Sequence, residues 1–317
     1  MSAMRAAILR WYGAPPEPGE FDEPQAGDGQ EVVEVLAAGL NPVDIRMASG
    51  TFYGGTPPLP SVVGREGVGR TPDGRLVYFD GPIPPYGAFA ERALIARDSA
   101  IPLPAELDPA LAVSFGIAGL AAWLALDWRA GLREGENVLV LGASGVVGQV
   151  AVQGARLLGA GRVAAAARSP EGLDRARDLG ADAVVSLTLR EDDLVDALRE
   201  AAGGDGFDVV IDPVWGDPAA AALQACRVRG RLVQIGESAG PHSTLASATI
   251  RGKLLAVLGH TNFMAPPDVK RAAYERMVEH GARGELAVEV ERVPLEQVAD
   301  AWQRQQRSPH HKLVIVP

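Results

Sequence analysis

The run from Asn137 to Gly148, NVLVLGASGVVG, constrains this chain more than any other stretch. Five residues of continuous apolar character stop at Gly142-Ala143-Ser144-Gly145-Val146-Val147-Gly148, and helical spacing then carries through Leu158. An apolar run that ends on glycine and gives way to a 3.6-residue period reads as a buried strand, a tight turn and a helix. The pattern recurs. Arg162–Ala167, Ala183–Ser186, Phe207–Asp212, Arg231–Ile235 and Lys253–Leu258 read as further strands, with helices at Glu171–Leu179, Asp192–Ala202 and Pro218–Arg227. Near-continuous apolar strands alternating with helices predict an α/β unit with six parallel strands covered on both faces.

That count, with the glycine turn, matches the Rossmann dinucleotide-binding fold. The spacing here is G-x-x-G-x-x-G, one residue away from the common G-x-G-x-x-G. The backbone must turn sharply and approach a pyrophosphate with no Cβ in the way, while the helix N-terminus offers free N–H groups and a partial positive charge. Gly142, Ser144, Gly145, Val146, Val147 and Gly148 are therefore candidate phosphate contacts. The alternative is a tight strand–helix turn that holds no ligand. About twenty residues beyond such a loop, an acid would contact the ribose 2′-hydroxyl of NAD, and an arginine would accommodate the 2′-phosphate of NADP. Arg168 stands at that position, followed by Ser169, and no acid lies between Gly148 and Glu171. A charge-assisted hydrogen bond to phosphate contributes about 1.5–3 kcal/mol, roughly ten- to a hundredfold in affinity. The expected cofactor is NADPH rather than NADH; the alternative is Arg168 as an ordinary solvated side chain.

The part before residue 110 has a different style. Fifteen of the 24 prolines lie there, among short apolar runs such as Val32–Ala38, Leu76–Phe79 and Phe89–Ile95. Proline cannot donate to a ladder, so the region reads as short strands joined by long loops. Ala110–Leu126 carries no charge over seventeen residues, but it is short for a bilayer and contains Gly116 and Gly119. A buried segment at a domain junction is the better reading, and no membrane association is expected. The N-terminus lacks an apolar stretch long enough for a signal peptide. Forty acidic against 30 basic side chains, a net charge of −10, argue against a general nucleic-acid binder. The single cysteine, Cys226, excludes an internal disulfide and a multi-cysteine zinc site and fits a reducing cytoplasm; it reads as a buried helix residue. The basic residues are 27 arginines and 3 lysines, a ratio that reads as genomic composition.

Motifs along nearly the whole chain resemble the medium-chain dehydrogenase/reductases, and among them the zinc-independent quinone oxidoreductases. They are Gly39-Leu40-Asn41-Pro42-Val43-Asp44 with Ser49-Gly50, Gly64-Arg65-Glu66-Gly67-Val68-Gly69, Gly87-Ala88-Phe89-Ala90-Glu91 and Ala118-Gly119-Leu120-Ala121-Ala122-Trp123. Ala130-Gly131-Leu132 with Gly135-Glu136, the glycine loop, Leu179-Gly180-Ala181-Asp182 and Gly230-Arg231-Leu232-Val233 with Ile235-Gly236 continue the series. The resemblance implies a GroES-like, β-rich catalytic domain from residues 1–117 and 260–317, with the cofactor domain, 118–259, inserted. The active site would lie in the cleft, and two chains would pair through the edge strand Lys253–Leu258.

Zinc-dependent relatives place a cysteine where this chain has Asn41, a histidine where it has Arg65 before Glu66, and a third ligand near Gly116–Ile117. With those donors replaced, and no cluster among the five histidines, no metal is expected; His310-His311 could take up adventitious metal. Hydride would then pass to an electron-poor carbon, in a quinone or an α,β-unsaturated carbonyl, with donors placed at the oxygen where charge develops. Asn41 and Tyr53 are the candidate donors, and Asp44 and Arg46 orient the loop. Tyr53 sits one step beyond the family's usual tyrosine position, which is Phe52 here, so it is either a proton donor or a wall of the pocket. Tyr86 and Trp215 are further lining candidates. Asn41 would also face the cofactor, with Pro213, Val214, Ile235, Gly236, His260 and Thr261 near its ribose and nicotinamide. Ala121 replaces a threonine common in the family. An enoyl-thioester reductase and a non-catalytic NADPH-binding protein stand as alternative functions.

Overall fold

Short strands with proline-rich connections build the first part of the computed structural model, which describes residues 2–317 apart from the Glu191 side chain. In order they are β1 (Ala3–Leu9), β2 (Glu17–Asp22), β3 (Gln30–Gly39), helix α1 (Pro42–Ala48), β4 (Ser61–Val62), β5 (Glu66–Arg70), β6 (Leu76–Asp80), β7 (Arg92–Ala96) and β8 (Ile101–Pro102). Pro18 falls on β2, which pairs only with β1, so no ladder bond on a second side is lost. Helix α2 (Pro109–Ser114) begins at an N-cap, Asp108, whose carboxylate accepts the Ala110 N–H. Its continuation kinks at Gly116, with ψ at −123°, before α3 (Leu120–Leu124). The whole helical run, Pro109–Ala130, is long and apolar enough to cross a bilayer, but 83% of its most apolar window is buried inside the protein, as in a core segment.

Next come β9 (Asn137–Leu141), α4 (Val146–Leu157), β10 (Arg162–Ala167), α5 (Pro170–Asp178), β11 (Ala183–Ser186), α6 (Glu191–Ala201) and β12 (Phe207–Asp212). Then follow α7 (Gly216–Ala225), β13 (Cys226–Gln234), α8 (Ser247–Lys253), β14 (Ala256–Gly259) and α9 (Pro267–Ala282). These strands form one parallel sheet in the order β11-β10-β9-β12-β13-β14. The chain walks outward from β9 to β11 and returns to β12 on the other side. Beside β9 the strand order therefore reverses, and open α/β sheets bind ligands at the carboxyl ends of strands there. Apolar side chains from β9, β10, β12 and β13 pack on α6 and α7 as one core, with Leu139, Leu141, Phe207, Val210 and Leu232 at its centre.

The end of the chain, β15 (Val290–Pro294), α10 (Val298–Gln306) and β16 (Lys312–Val316), adds to the first sheet, in the order β15-β16-β3-β5-β6-β8 with β7 also on β3. Two compact units result: residues up to Ile117 with Val288–Pro317, and Ala118–Ala287. The return to the first unit thus comes at 288 rather than 260. Helix α9 buries Ala273, Tyr274, Met277, Val278 and Gly281 within the second unit, and its Arg276 lies over the Trp123 ring and bonds Asp127 at 2.9 Å. Ala287 is held at both its N–H and C=O by the Gln153 side chain of α4.

Two smaller differences share a cause. Lys253 closes α8 instead of opening a strand, because its Nζ donates to the carbonyls of Gln224 and Cys226, and Leu254 turns left-handed with φ at 53°. Cys226 is buried, but it opens β13 rather than lying inside a helix, and burial pushes its thiol up to about 12.

Candidate active-site residues

The glycine loop is packed too closely for side chains. Gly142 holds φ at 64°, and a Cβ there would meet Val214 Cγ2 at 2.8 Å. A Cβ on Gly148 would run into the Gly142 carbonyl, and one on Gly172 into Ser144. The first turn of α4 thus lies directly on the turn leaving β9, with Val146 and Val147 at its start and Gly145 as its N-cap. Helix N-termini leave their first N–H groups without intrahelical partners. Ser144 is buried, and its carbonyl accepts from Gln149 Nε2. A bare-backbone cradle of this kind fits the pyrophosphate of a dinucleotide.

At the tip of β10, Arg168 is exposed and makes no ion pair among the described residues. Ser169 is the N-cap of α5: its Oγ accepts the Gly172 N–H at 2.9 Å, which leaves its hydroxyl hydrogen available. The ends of β12 and β13 meet beside the loop. Asp212 is fully buried and accepts the N–H groups of Val214 and Trp215 on one oxygen, while its other oxygen has no partner. Burial raises its pKa to about 6. Trp215 sits at φ 61° and ψ −159°, a conformation costing about 1–3 kcal/mol, and the bond to Asp212 holds it. The Asp212 carbonyl accepts from the N–H of Ile235, so Pro213, Val214, Ile235 and Gly236 form one surface. Beyond β14, His260 is buried and bonds the Asn262 side chain, and burial lowers its pKa to about 4. Thr261 follows as the N-cap of a short turn.

In the first unit the segments around residues 41, 66 and 117 do converge, on the Glu66 carboxylate. Its Oε1 accepts from Asn41 Nδ2 at 2.7 Å and from Lys312 Nζ at 2.9 Å. Its Oε2 accepts from the Tyr78 hydroxyl at 3.0 Å and the Ile117 N–H at 2.6 Å. Lys312 Nζ also donates to Asn41 Oδ1 at 2.7 Å, and Asn41 Nδ2 to the Gly39 carbonyl at 3.0 Å. Both amide hydrogens of Asn41 are thereby taken. Its expected donation to a substrate oxygen would have to displace one of these bonds, because a carboxamide has two hydrogens and both are held inside the protein.

Asp44, in α1, accepts the N–H groups of Asn41 and Arg65 at 2.8 and 2.9 Å, and burial raises its pKa to about 7. Together with Met47, Pro57, Ser61, Arg65 and Tyr86 it borders a small open recess. Tyr53 is 79% exposed with its ring against Phe52, and Arg46 lies in the last turn of α1; neither borders that recess.

Lys312 escaped sequence reasoning. The available signal was its rarity: one of three lysines in an arginine-rich chain, placed at the head of the apolar strand KLVIV.

Comparison with known proteins follows the same lines. Residues 146–279 match the family described as zinc-binding dehydrogenase. The chain is 32% identical over 234 residues to the quinone oxidoreductase of Rattus norvegicus, covering 69% of each. It is 30% identical over 305 residues to a phenolphthiocerol/phthiocerol polyketide synthase of Mycobacterium tuberculosis; that match covers 92% of this chain and 14% of the much longer synthase polypeptide. The solved quinone oxidoreductase of Thermus thermophilus, described with its NADPH complex, aligns with a TM-score of 0.85 at 31% identity, over 99% of this chain and 100% of that one. The glycine cradle and the reversing parallel sheet, with these matches, define a medium-chain dehydrogenase/reductase. Within that superfamily the chain belongs to the quinone oxidoreductase-like family.

Zinc does not fit the residues present. Asn41, Arg65 and Gly116–Ile117 offer no set of three donors, and the Lys312 ammonium lies beside Asn41 and Glu66. A side chain at 116 has no room either, since a Cβ there would collide with Glu66 and Tyr78. Among the described residues no group of three or more His, Cys, Asp or Glu could hold a metal ion, and His311 is bonded to Glu291.

Asp212 gives a pH test. Its pKa near 6 in the folded chain exceeds the ordinary 3.8, so the folded state binds the extra proton. The linked stability is present in full below about pH 4 and is lost as pH rises through 6. A difference of this size corresponds to about 3 kcal/mol. Urea unfolding from pH 4 to 7 is expected to show Asp212→Asn gaining stability relative to the wild type as pH rises, by up to that amount. Parallel pH profiles for the two proteins would contradict the assignment.

Proposed function

We propose that the protein is an NADPH-dependent reductase acting, without a metal, on quinones or α,β-unsaturated carbonyl compounds. The observation that carries the reading is Arg168: an exposed guanidinium with no ion pair among the described residues, at the tip of the second strand, beside a backbone cradle and with no competing acid. The Thermus relative described with NADPH supports the choice of cofactor. When bound, the dinucleotide supplies a hydride at C4 of its nicotinamide. Gly142, Ser144, Gly145, Val146, Val147 and Gly148 would receive the pyrophosphate, Arg168 and Ser169 the 2′-phosphate. The surface of Pro213, Val214, Ile235 and Gly236, with His260 and Thr261, would flank the ribose and nicotinamide. Met47, Pro57, Pro84, Pro85 and Tyr86 at the border of the recess would offer apolar contacts to an acceptor. The proton that completes reduction would come from solvent or from Tyr53, whose exposure leaves its hydroxyl within reach of water.

A second reading, reduction of an enoyl thioester, is favoured by the match of 92% of this chain to a segment of a polyketide synthase. Two copies would pair through β14, the last strand of its sheet, near which Leu254 and Val257 are exposed.

Three measurements follow. Arg168→Ala is expected to weaken NADPH binding about ten- to a hundredfold, read by nicotinamide fluorescence, and to leave NADH within about twofold. Equal losses for both nucleotides would remove the basis for NADPH. Absorbance at the nicotinamide band, followed with a panel of quinones, enones and an enoyl thioester, is expected to show turnover on at least one of the first two classes. Turnover on the thioester alone selects the second reading, and tight NADPH binding with no turnover at all marks a binding protein. Sedimentation at micromolar concentration is expected to give a dimer, and a monomer would exclude the β14 pairing.

A further inference from the structure

A chain that uses arginine for 27 of its 30 basic residues has placed a lysine, 2% exposed, in the middle of its most tightly bonded polar cluster. We propose that Lys312 is the built-in cation of this cluster. It is a positioning residue that, with Glu66, fixes the Asn41 carboxamide in one orientation. Through Asn41 it sets the turn that carries Asp44.

A carboxamide is nearly symmetrical, and only its hydrogen-bond partners decide which end is oxygen. Here Nζ lies 2.7 Å from Asn41 Oδ1, while Nδ2 faces two acceptors, Glu66 Oε1 and the Gly39 carbonyl. Rotating the amide by half a turn would set N–H against ammonium and oxygen against carboxylate. Lys312 at the oxygen end, with Glu66 and the Gly39 carbonyl at the nitrogen end, therefore fixes the orientation.

The consequences spread along the backbone. The Asn41 N–H goes to one oxygen of Asp44, and the Arg65 N–H goes to the other. The same carboxylate that pairs with Lys312 also takes the Ile117 N–H just beyond the kink at Gly116. The Glu66 carboxylate, neutralised by this one ammonium, thus ties together the segments around residues 41, 66 and 117.

A Cβ on Gly39 would meet Lys312 Nζ at 2.8 Å and Cε at 2.9 Å, so the ammonium is packed against bare backbone. Glycine at 39 is what lets the lysine reach Asn41 and Glu66.

The kinetic part of this inference rests on the reductase reading, but the orientation of Asn41 does not. The chain has only three asparagines, 41, 137 and 262, so selective 15N-asparagine labelling resolves three side-chain amides. In the wild type the Asn41 pair, identified by its loss in Asn41→Ser, is expected to be protected from hydrogen exchange. Lys312→Met, which frees the oxygen end of the carboxamide, is expected to weaken that protection while leaving Asn137 and Asn262 unchanged. It is also expected to lower kcat about 10- to 100-fold with the NADPH Kd, read by fluorescence, within about twofold.

Glu66→Gln combined with Lys312→Met removes the unpaired buried charge and is expected to recover thermal stability without recovering Asn41 protection or kcat. Wild-type protection of Asn41 in Lys312→Met, or turnover that returns together with stability in the double variant, would overturn the proposal. If Lys312→Met does not fold, the double variant decides alone. A wild type with no turnover on any acceptor would overturn the reductase reading, and the exchange measurement would still decide the role of Lys312.

Discussion

The approach of bare backbone to bare backbone at the carboxyl end of β9 is the constraint on which the second unit depends. Helix α4 can start where it does only because Gly148 lets its first turn rest on Gly142, and α5 only because Gly172 lets it rest on Ser144. Two helix starts are thereby brought to one end of a parallel sheet whose order reverses between β10 and β12 around β9. Partial positive charge and unpaired N–H groups accumulate there as a result of the topology. Side chains then refine the site: Arg168 adds a full charge at the tip of β10, and Asp212 holds the strained turn at Trp215 that covers Gly142 from the side of β12.

The first unit solves a different problem. Its fully buried carboxylate, Glu66, takes four hydrogen bonds, one of them from an ammonium 246 residues away in sequence. Breaking such a pair by removing one partner typically costs about 3–5 kcal/mol, whereas replacing both partners is often neutral. The pair is therefore weak evidence of stability for its own sake and better understood through what it orients, the carboxamide of Asn41 and the turn at Asp44.

Much of the cofactor half was legible in the sequence. Buried parallel strands are apolar without interruption, so β9, β10, β11 and β12 stood out, and the loop after β9 followed from the positions of its glycines. Arg168 could be placed by counting, since distance along a strand–helix–strand unit is nearly fixed. Features set by contacts between distant segments were not legible. Nothing local in residues 260–287 assigns them to the second unit rather than the first. Asn41 carried a plausible donor, but whether its hydrogens were free depended on the Gly39 carbonyl and on Glu66, which comes from another strand. Asp212 read as the end of a strand, and its unpartnered buried oxygen emerges only from the turn that wraps it.

The central claim is that the tip of β10 recognises a phosphorylated adenosine. Its most direct test is competition against NADPH by 2′,5′-ADP and by 5′-AMP, fragments that differ by the 2′-phosphate alone. This account predicts that 2′,5′-ADP binds about ten- to a hundredfold more tightly than 5′-AMP. Equal affinities for the two fragments would contradict it.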